Sequence, residues 1–461
     1  MASSRKSNLT DSVAARLAPL LPPHSHILIG LSGGMDSVVL LHLLHGLAPR
    51  FAWRLSALHV HHGISPNADM WANFCTEFCA RLDIPLHIER VDIAPLRADH
   101  GIEAAARKLR HAAFRKQSCD FVALAHHADD QAETLLLQLL RGAGIRGAAA
   151  MPVLSKVEGS VSGSAPATVR PLLDIPRGTL YEYAVQHALQ WVEDESNTDE
   201  RYPRNFLRHR VLPLLEREFP AYRSTLMRGA RHFAEAAALL DELAQLDAQD
   251  QAESAVLDVS RLRALSPSRA RNLLRFFLHR QGAPMPQEVQ TEQMLHQLLH
   301  ARDDAAVCVG FGHWQLRRYQ GKVYAFPALE AVDTGSAAHW LGERELHWPA
   351  LNMRIAFNRV LGSGISLAKL QRAPVTLRLR SGGESLRPRP GAATRSLKNL
   401  LQEHHVPPWH RERLPLLYCG GELASVVGVA VSAEFQAAQN EEGVLVCCEQ
   451  LDYDGRQNYL L

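Results

Sequence analysis

Cysteine is scarce and unpatterned in this chain. There are seven in 461 residues, an odd number, with no Cys-x-x-Cys pair and no zinc-ligand spacing. That excludes a disulfide framework and fits a reducing compartment. Cys75 and Cys79, one helical turn apart, read as core or surface thiols, and the adjacent Cys447 and Cys448 must face opposite sides of a strand. Apolar runs long enough to cross a bilayer are missing too; residues 27–47 are broken by glycines, Asp36 and two histidines. The start is polar, carries Arg5 and Lys6 and lacks an apolar signal region, so a cytoplasmic protein with no membrane partner is expected. Excess charge is also missing. A net charge of +2 excludes a uniformly basic nucleic-acid binder.

What is present is segregated charge on a long chain. At this length two or three domains are expected, and 46% hydrophobic with 21% charged residues is ordinary for a globular protein. From Arg201 to His232 there are eight Arg against two Glu. From Leu370 to Arg413 there are eight Arg and one Lys against three Glu, whereas Ala234 to Ser260 carries seven acids and no Lys or Arg. Such segregation suggests basic patches facing a polyanion; either patch alone also fits a solvated face paired across domains.

The most informative stretch joins an apolar strand-type run ending at Leu31 to a helix-type run from Val38 to Leu47. Between them lie Ser32, Gly33, Gly34, Met35, Asp36 and Ser37. The glycines have no Cβ, so the backbone can turn sharply and bring N–H groups onto an anion. The following helix aims the positive end of its dipole at the same place. Ser32 and Ser37 add hydroxyl donors. Asp36, itself an anion, can cap the helix, bind a metal ion or orient the loop. The Lys of a Walker A sequence is missing, which argues against a kinase-type grip on a γ-phosphate.

Strand-like runs at Leu55 to Gly63, Leu86 to Asp92 and Phe121 to Ala125 alternate with helix-like runs at Ala68 to Leu82, Ile102 to Gln117 and Asp129 to Arg141. The alternation predicts an α/β fold with a doubly wound parallel sheet, and ligands beyond the carboxyl ends of its strands. Three of those ends carry polar clusters: residues 32–37, 59–63 and 126–130. His59 and His61 face one side of a strand and His62 the other, so nucleotide or base contact, or plain strand-end structure, is favoured over a metal trio. Asp129 or Asp130 can cap the helix that begins there, and Glu133 lies on roughly the same face. Carboxylates so grouped suit Mg²⁺ on ATP phosphates, or an ammonium group. Glu103, Arg107 and Arg110 share another helical face; an ion pair within it and contact with phosphate or RNA weigh equally.

Further on, Lys156 to Thr168 is rich in Ser, Gly and Ala and reads as a flexible insertion. A connector helix is expected from about Leu226 to Asp250, then helices at 268–281 and 286–301 and a strand-rich stretch at 306–326. Val375 to Arg380 alternates as a strand. Ser381, Gly382 and Gly383 have no Asp-Ser after them and read as a turn, not a second nucleotide loop.

The spacing Ser-Gly-Gly-x-Asp-Ser at Ser32 to Ser37 resembles the PP-loop of the ATP pyrophosphatases. It is joined by His59 to Gly63, Gly101 to Arg107 with Arg110, His126 to Thr134, Arg170 to Leu173, Glu193 to Asn197 and Arg204 to Arg208. Leu377 to Gly383, Ser396 to Leu400 and Pro415 to Leu417 add a C-terminal set. With these the chain is similar to the tRNA(Ile)-lysidine synthase family. His61 stands where that family often has Asn, and the insertion near residue 160 matches no family motif.

The resemblance implies a PP-loop catalytic domain over residues 1–220. A helical connector with a small tRNA-contacting domain follows over 221–335, and a C-terminal α/β tRNA-binding domain over 336–461. It implies that ATP adenylates the wobble cytidine of a tRNA(Ile) with a CAU anticodon and that free L-lysine displaces AMP to give lysidine. On that footing Ser32, Gly33, Gly34, Met35, Asp36, Ser37 and His59 bind ATP. Asp36, Asp129 and Asp130 hold Mg²⁺, and Asp36, Arg107 and Asp130 are catalytic. Glu133 takes the lysine ammonium. Arg110, Arg204, Asn205, Arg208, Arg378, Arg380 and Lys398 meet the tRNA. A homodimer is compatible with all of this.

The nearest rival is a PP-loop tRNA thiolase. Sulfur transfer needs a reactive cysteine or an iron–sulfur site, and Cys75, Cys79 and Cys119 lack the spacing. An amidotransferase needs a glutaminase or an ammonia route, and no glutaminase motif is visible. A non-catalytic, ATP-gated tRNA-binding protein is disfavoured by the intact loop and acid cluster.

Overall fold

The computed structural model describes residues 8–94, 102–155, 165–302, 305–329, 331–451 and 457–459. Gly101, the Glu103 side chain and most of the Ser-rich insertion expected at 156–168 lie outside the described residues.

The chain opens with α1 (Leu9–Leu17), β1 (His26–Gly30), α2 (Met35–Phe51), β2 (Arg54–His61), α3 (Ala68–Arg81) and β3 (Leu86–Arg90). Next come α4 (Ile102–Arg115), β4 (Phe121–Ala123), α5 (Ala128–Leu140), β5 (Leu154–Ser155), β6 (Ala167–Val169) and α6 (Arg177–Gln186). The sheet runs β3-β2-β1-β4-β6-β5, parallel from β3 to β6, with β5 antiparallel at the edge. The antiparallel edge was not expected: a two-residue strand flanking an insertion leaves no period to read. Ile27, Leu28 and Ile29 are buried on both faces of the sheet, as parallel strands require. Val38, Val39, Leu40, Leu41, Leu43, Leu44 and Leu47 are buried along α2, which packs on β1, β2 and α6. Each such side chain contributes about 1.5–3 kcal/mol by leaving water. Cys75 and Cys79 belong to this core.

Strand order decides where ligands go. From β1 the chain steps outward through β2 and β3, then returns to lay β4 on the other side of β1. The order reverses between β1 and β4, so a crevice opens beyond their carboxyl ends. The loop after β1 and the acid cluster after β4 are the segments that border it.

A run of helix Pro203–Phe206, π-helical turn Leu207–Val211 and helix Leu212–Glu218 leads into α7 (Tyr222–Ala248), against which α8 (Pro267–Arg280) packs. Residues 1–254 with 261–282 form one compact unit, and residues 255–260 with 283–461 a second. Among the described residues no helix is long and apolar enough to cross a membrane.

The second unit begins with β7 (Leu257–Asp258), continues through α9 (Glu288–His300), and completes a four-stranded antiparallel sheet with β8 (Cys308–Phe311), β9 (Trp314–Tyr319) and β10 (Lys322–Pro327). Three further β-sheets follow, one containing β11 (Ala337–Trp340), one containing β12 (Glu345–Trp348) and β13 (Met353–Leu361), and a two-stranded one pairing Ser385–Leu386 with Arg395–Ser396. The long β13 pairs with the last long strand, Glu442–Leu451, and Val375–Arg378 joins the sheet of β11. Cys447 is exposed and Cys448 buried, on opposite faces as their adjacency demands.

Trp409 is the aromatic anchor of this unit. Its ring lies 5.3 Å from Tyr324, 5.7 Å from Phe326 and 6.1 Å from Tyr319, with the Arg317 guanidinium 5.3 Å above it. Arg411 donates to the Tyr319 hydroxyl at 3.0 Å. Trp409→Ala is expected to cost about 3–5 kcal/mol, the usual penalty for emptying a buried aromatic site. Thermal unfolding should show the transition of the second unit falling while that of the first stays in place; an unmoved transition would count against the anchor.

Candidate active site

The loop after β1 is shaped by three hydroxyl and backbone contacts. Ser32 and Ser37 face each other at 3.1 Å, the Ser37 hydroxyl donates to the Gly34 carbonyl at 2.9 Å, and the Ser32 N–H reaches Ser37 Oγ at 3.2 Å. Gly33 has φ +88°, and a Cβ there would lie 2.9 Å from Val192 Cγ2 and 3.3 Å from Cys75 Sγ. The Val192 N–H donates to the Gly33 carbonyl at 3.0 Å, so a segment far along the chain holds the loop. Gly34 caps α2 from an extended conformation with no side-chain bond, which leaves the first-turn N–H groups for an anion.

His59 is buried behind the loop and donates from Nδ1 to the Leu31 carbonyl at 2.9 Å. Burial lowers its pKa, so the ring is neutral. His62 and His111 are each pushed down to about 4, mainly by burial and then by nearby arginines. Arg107 and Arg110 both act on His111, Arg110 on His62, and Arg107 on the buried Arg170, whose pKa burial pushes down to about 10. Cations gathered this closely around neutral imidazoles suit an anionic ligand.

Across the crevice His127 is the hub. It is 2% exposed. Its Nδ1 accepts from the Asp130 N–H at 3.4 Å while the Asp130 carboxylate accepts from the His127 N–H at 3.1 Å, a reciprocal cap on α5. The expected Asp cap is therefore a His cap that Asp130 completes. His127 Nε2 lies 3.4 Å from Asp130 Oδ2 and 3.6 Å from Asp36 Oδ2. Burial pulls the His127 pKa down most strongly, but Asp36, Asp130 and Asp129 together raise it above the ordinary value.

The carboxylates differ in what remains open. Asp129 accepts from the Arg177 N–H at 3.0 Å and from Arg223 Nε at 2.6 Å. Asp130 is held by His127 and, at 3.2 Å, by Arg208 Nη2. Burial alone would raise the pKa of Asp129 and Asp130; these cationic and N–H partners hold both below the usual range. Asp36 Oδ1 has no hydrogen-bond partner; its nearest cation is Arg177 Nε at 3.9 Å. Glu133 is 0% exposed, with Arg208 Nε at 2.7 Å from one oxygen and Arg204 Nε at 3.0 Å from the other. Burial raises its pKa against the pull of Arg208 and Arg204.

Ser32 to Ser37, His59, Asp129 and Asp130 are thus brought to one crevice, and the electrostatics of Arg107 and Arg110 act on its histidines. Arg204 and Arg208, expected to meet tRNA, turn inward because the buried Glu133 and Asp130 demand cations. Asn205 likewise donates to the carbonyls of Ser196 and Asp199, at 2.9 and 3.0 Å. Glu133, expected to take an ammonium, already has both oxygens engaged. Among the described residues no group of three or more His, Cys, Asp or Glu is arranged to hold a metal by itself. The open Asp36 oxygen is the fitting donor for an ion carried mainly by substrate phosphates. Sequence reasoning missed Arg177, Arg223 and Val192 at the crevice, and gave His127, inside the 126–130 cluster, no role of its own. The His127 signal was its place just before the first helical turn. Burial pushes the thiols of Cys75, Cys79 and Cys119 up to about 12, 11 and 11, away from the reactive thiolate form.

Residues 5–215 match the family described as the PP-loop domain, residues 257–324 the TilS substrate binding domain and residues 375–448 the TilS substrate C-terminal domain. The chain is 42% identical over 439 residues to the tRNA(Ile)-lysidine synthase of Nitrosomonas europaea, covering 95% of each. It is 40% identical over 426 residues to that of Coxiella burnetii, covering 92% of this chain and 93% of that one. A solved U34-tRNA thiolase from Methanococcus maripaludis shares 19% identity at a TM-score of 0.41, covering 49% of this chain and 78% of that one.

Two outcomes test this geometry. A raised folded pKa at His127 contributes stability that is fully present below the unfolded value of about 6.5 and is lost as pH rises through the folded value. His127→Asn keeps a cap acceptor but takes no proton. The stability gap between wild type and this variant should therefore be widest in acid and narrow as pH rises; denaturant titrations giving a pH-independent gap would contradict the hub. Gly33→Ala should lose ATP affinity and about 1–3 kcal/mol of stability through strain at positive φ, read by calorimetry and melting.

Proposed function

The chain belongs to the tRNA(Ile)-lysidine synthase family, and from that premise we propose how its residues divide the reaction. It is an ATP-dependent ligase that forms the carbon–nitrogen bond of lysidine in tRNA. Two displacements are needed. The C2 carbonyl oxygen of the wobble cytidine in a CAU-anticodon tRNA(Ile) attacks the α-phosphorus of ATP, and pyrophosphate leaves. The ε-amine of free lysine then attacks C2, AMP leaves, and the amine sheds a proton.

The first-turn N–H groups of α2 hold phosphate, with Ser32 and Ser37 shaping the loop through their mutual contact and His59 fixing it through the Leu31 carbonyl. Asp36 would hold Mg²⁺ together with the ATP phosphates, and the ion would offset charge on the departing pyrophosphate. Asp129 and Asp130 act behind it, holding and aiming His127. Arg107, Arg110 and Arg170 receive the anionic side of the adenylated cytidine, which leaves the anticodon stack to react.

Free lysine carries two ammonium groups and a carboxylate at neutral pH, and the Arg204–Glu133–Arg208 clamp presents groups of the opposite charges. Lysine's ammonium competes for Glu133 and its carboxylate for a guanidinium, so binding rearranges the clamp without leaving a buried charge unpaired. Residues 1–220 do the chemistry, 221–335 connect and contact tRNA, and 336–461 grip its backbone through exposed Arg378 and Lys398 and the half-buried Arg380. The setting is cytoplasmic.

One observation carries this reading: the phosphate loop and the carboxylate–His127 hub meet at the switch point of the sheet, with one Asp36 oxygen left open. Incorporation of labelled lysine into unmodified CAU-anticodon tRNA(Ile), with and without ATP and with methionine tRNA as control, tests it. Labelling should require ATP and spare the methionine tRNA. Asp36→Asn should lower the rate by about 10²-fold or more; a wild-type rate would remove Asp36 from the mechanism. ATP cleavage without lysine transfer would redirect the search to another nucleophile.

A further inference from the structure

The turn after Val375–Arg378 is built like an anion site. Ser381 and Gly382 aim consecutive backbone N–H groups at one oxygen, Oε1 of Glu384, at 2.6 and 2.9 Å, and the Ser381 hydroxyl reaches it at 3.2 Å. Gly382 and Gly383 have φ of +103° and +84°, and a Cβ built on either meets nothing within 4 Å. Backbone shape, not crowding, calls for these glycines, and the space before them is open. Successive N–H groups in such a turn form a concavity for anions.

Its present occupant is internal. The Glu384 side chain is 7% exposed, yet the turn it serves is on the surface. Its second oxygen, Oε2, has no hydrogen bond and faces Arg380 Nε at 3.6 Å, which has none either. Burial alone would raise the Glu384 carboxyl, but the surrounding N–H groups and the Ser381 hydroxyl hold it below the usual range, so it is charged. Arg387, Arg389 and Lys398 nearby in sequence are exposed and have no ion pair among the described residues. Water would satisfy the N–H groups of a surface turn. Instead a full negative charge is nine-tenths buried in a basic segment, as phosphate would be.

We propose that Ser381, Gly382 and Arg380 form a site for a phosphodiester group of tRNA, held shut in the free protein by Glu384 as an internal stand-in. The proposal rests on the reading that the C-terminal domain grips the tRNA backbone. When tRNA docks, a phosphate oxygen replaces Glu384 Oε1 on the two amides, Arg380 turns to the phosphate, and the Glu384 carboxylate passes to water. The exchange makes docking conditional: an RNA presenting phosphate elsewhere does not open the site.

The test is binding of unmodified CAU-anticodon tRNA(Ile) to the full chain across a salt series. Glu384→Gln keeps an acceptor for the turn and removes the charge. Glu412→Gln, at an exposed residue, makes the same change in net charge and serves as the control. Glu384→Gln should bind about 3–10-fold more tightly and steepen the log–log salt dependence by up to about 0.9, one added phosphate contact. Inorganic phosphate should raise the melting temperature of Glu384→Gln more than that of wild type, a readout independent of tRNA. Equal behaviour of the Glu384 and Glu412 variants, or weaker tRNA binding by a folded Glu384→Gln, overturns the proposal. If Arg378→Ala with Lys398→Ala leaves affinity unchanged, the C-terminal grip itself fails. If that pair weakens binding while Glu384→Gln changes nothing, only the stand-in fails.

Discussion

The site depends on holding Asp36, Asp129, Asp130 and Glu133 together without letting them repel. Two like charges 4 Å apart cost about 4 kcal/mol at an effective dielectric of 20, comparable to a large part of a domain's stability. The protein answers with one imidazole and a ring of guanidiniums. His127 lies between Asp36 and Asp130, the Arg223 guanidinium and the Arg177 backbone N–H close Asp129, and Arg204 and Arg208 close Glu133. The acids belong to the first turn of α2 and to α5, at the reversal of the sheet. The cations come from α6 and from residues 204–223. The sheet can therefore carry its acid cluster only because the following helices wrap back over it.

Closing three of the four carboxylates gives the fourth its meaning. Asp36 is the one with an oxygen lacking a hydrogen-bond partner, and it stands in the first turn of the helix that the phosphate loop opens. Neutral His59 behind the loop and the arginines beside His62 and His111 set the opposite polarity across the crevice. A triphosphate laid between the two walls meets N–H groups, one open carboxylate and cations in turn, which is the charge order that transfer at an α-phosphate requires.

Local signals were readable in advance and long-range ones were not. The Ser32 to Ser37 turn, the buried strand before it and the α5 acids all announce themselves within a few residues. So did the fate of Cys447 and Cys448, because a strand has a period of two. The burial of Glu133 did not, since a Glu on an amphipathic helix looks the same whether it meets water or two arginines that follow 71 and 75 positions later. His127 was passed over as a cap because Asp is the commoner acceptor and the deciding factor, Asp36 across the crevice, comes from another strand end. Basic residues at 201–232 signalled a polyanion, yet part of that charge serves the protein's own acids. The edge hairpin of β5 and β6 is too short to leave a pattern.

The Val192 N–H that holds Gly33 has a consequence for the timing of assembly. The phosphate loop is made from the first forty residues, but the partner that sets its shape follows some 160 residues later, and Arg223 later still. A chain emerging from the ribosome will have formed β1 and α2 well before either arrives, because local contacts form first and distant ones must wait for the intervening chain. Until then its four carboxylates lack their counter-charges and its loop lacks its brace. The crevice is therefore completed only once the helices that close it have been made.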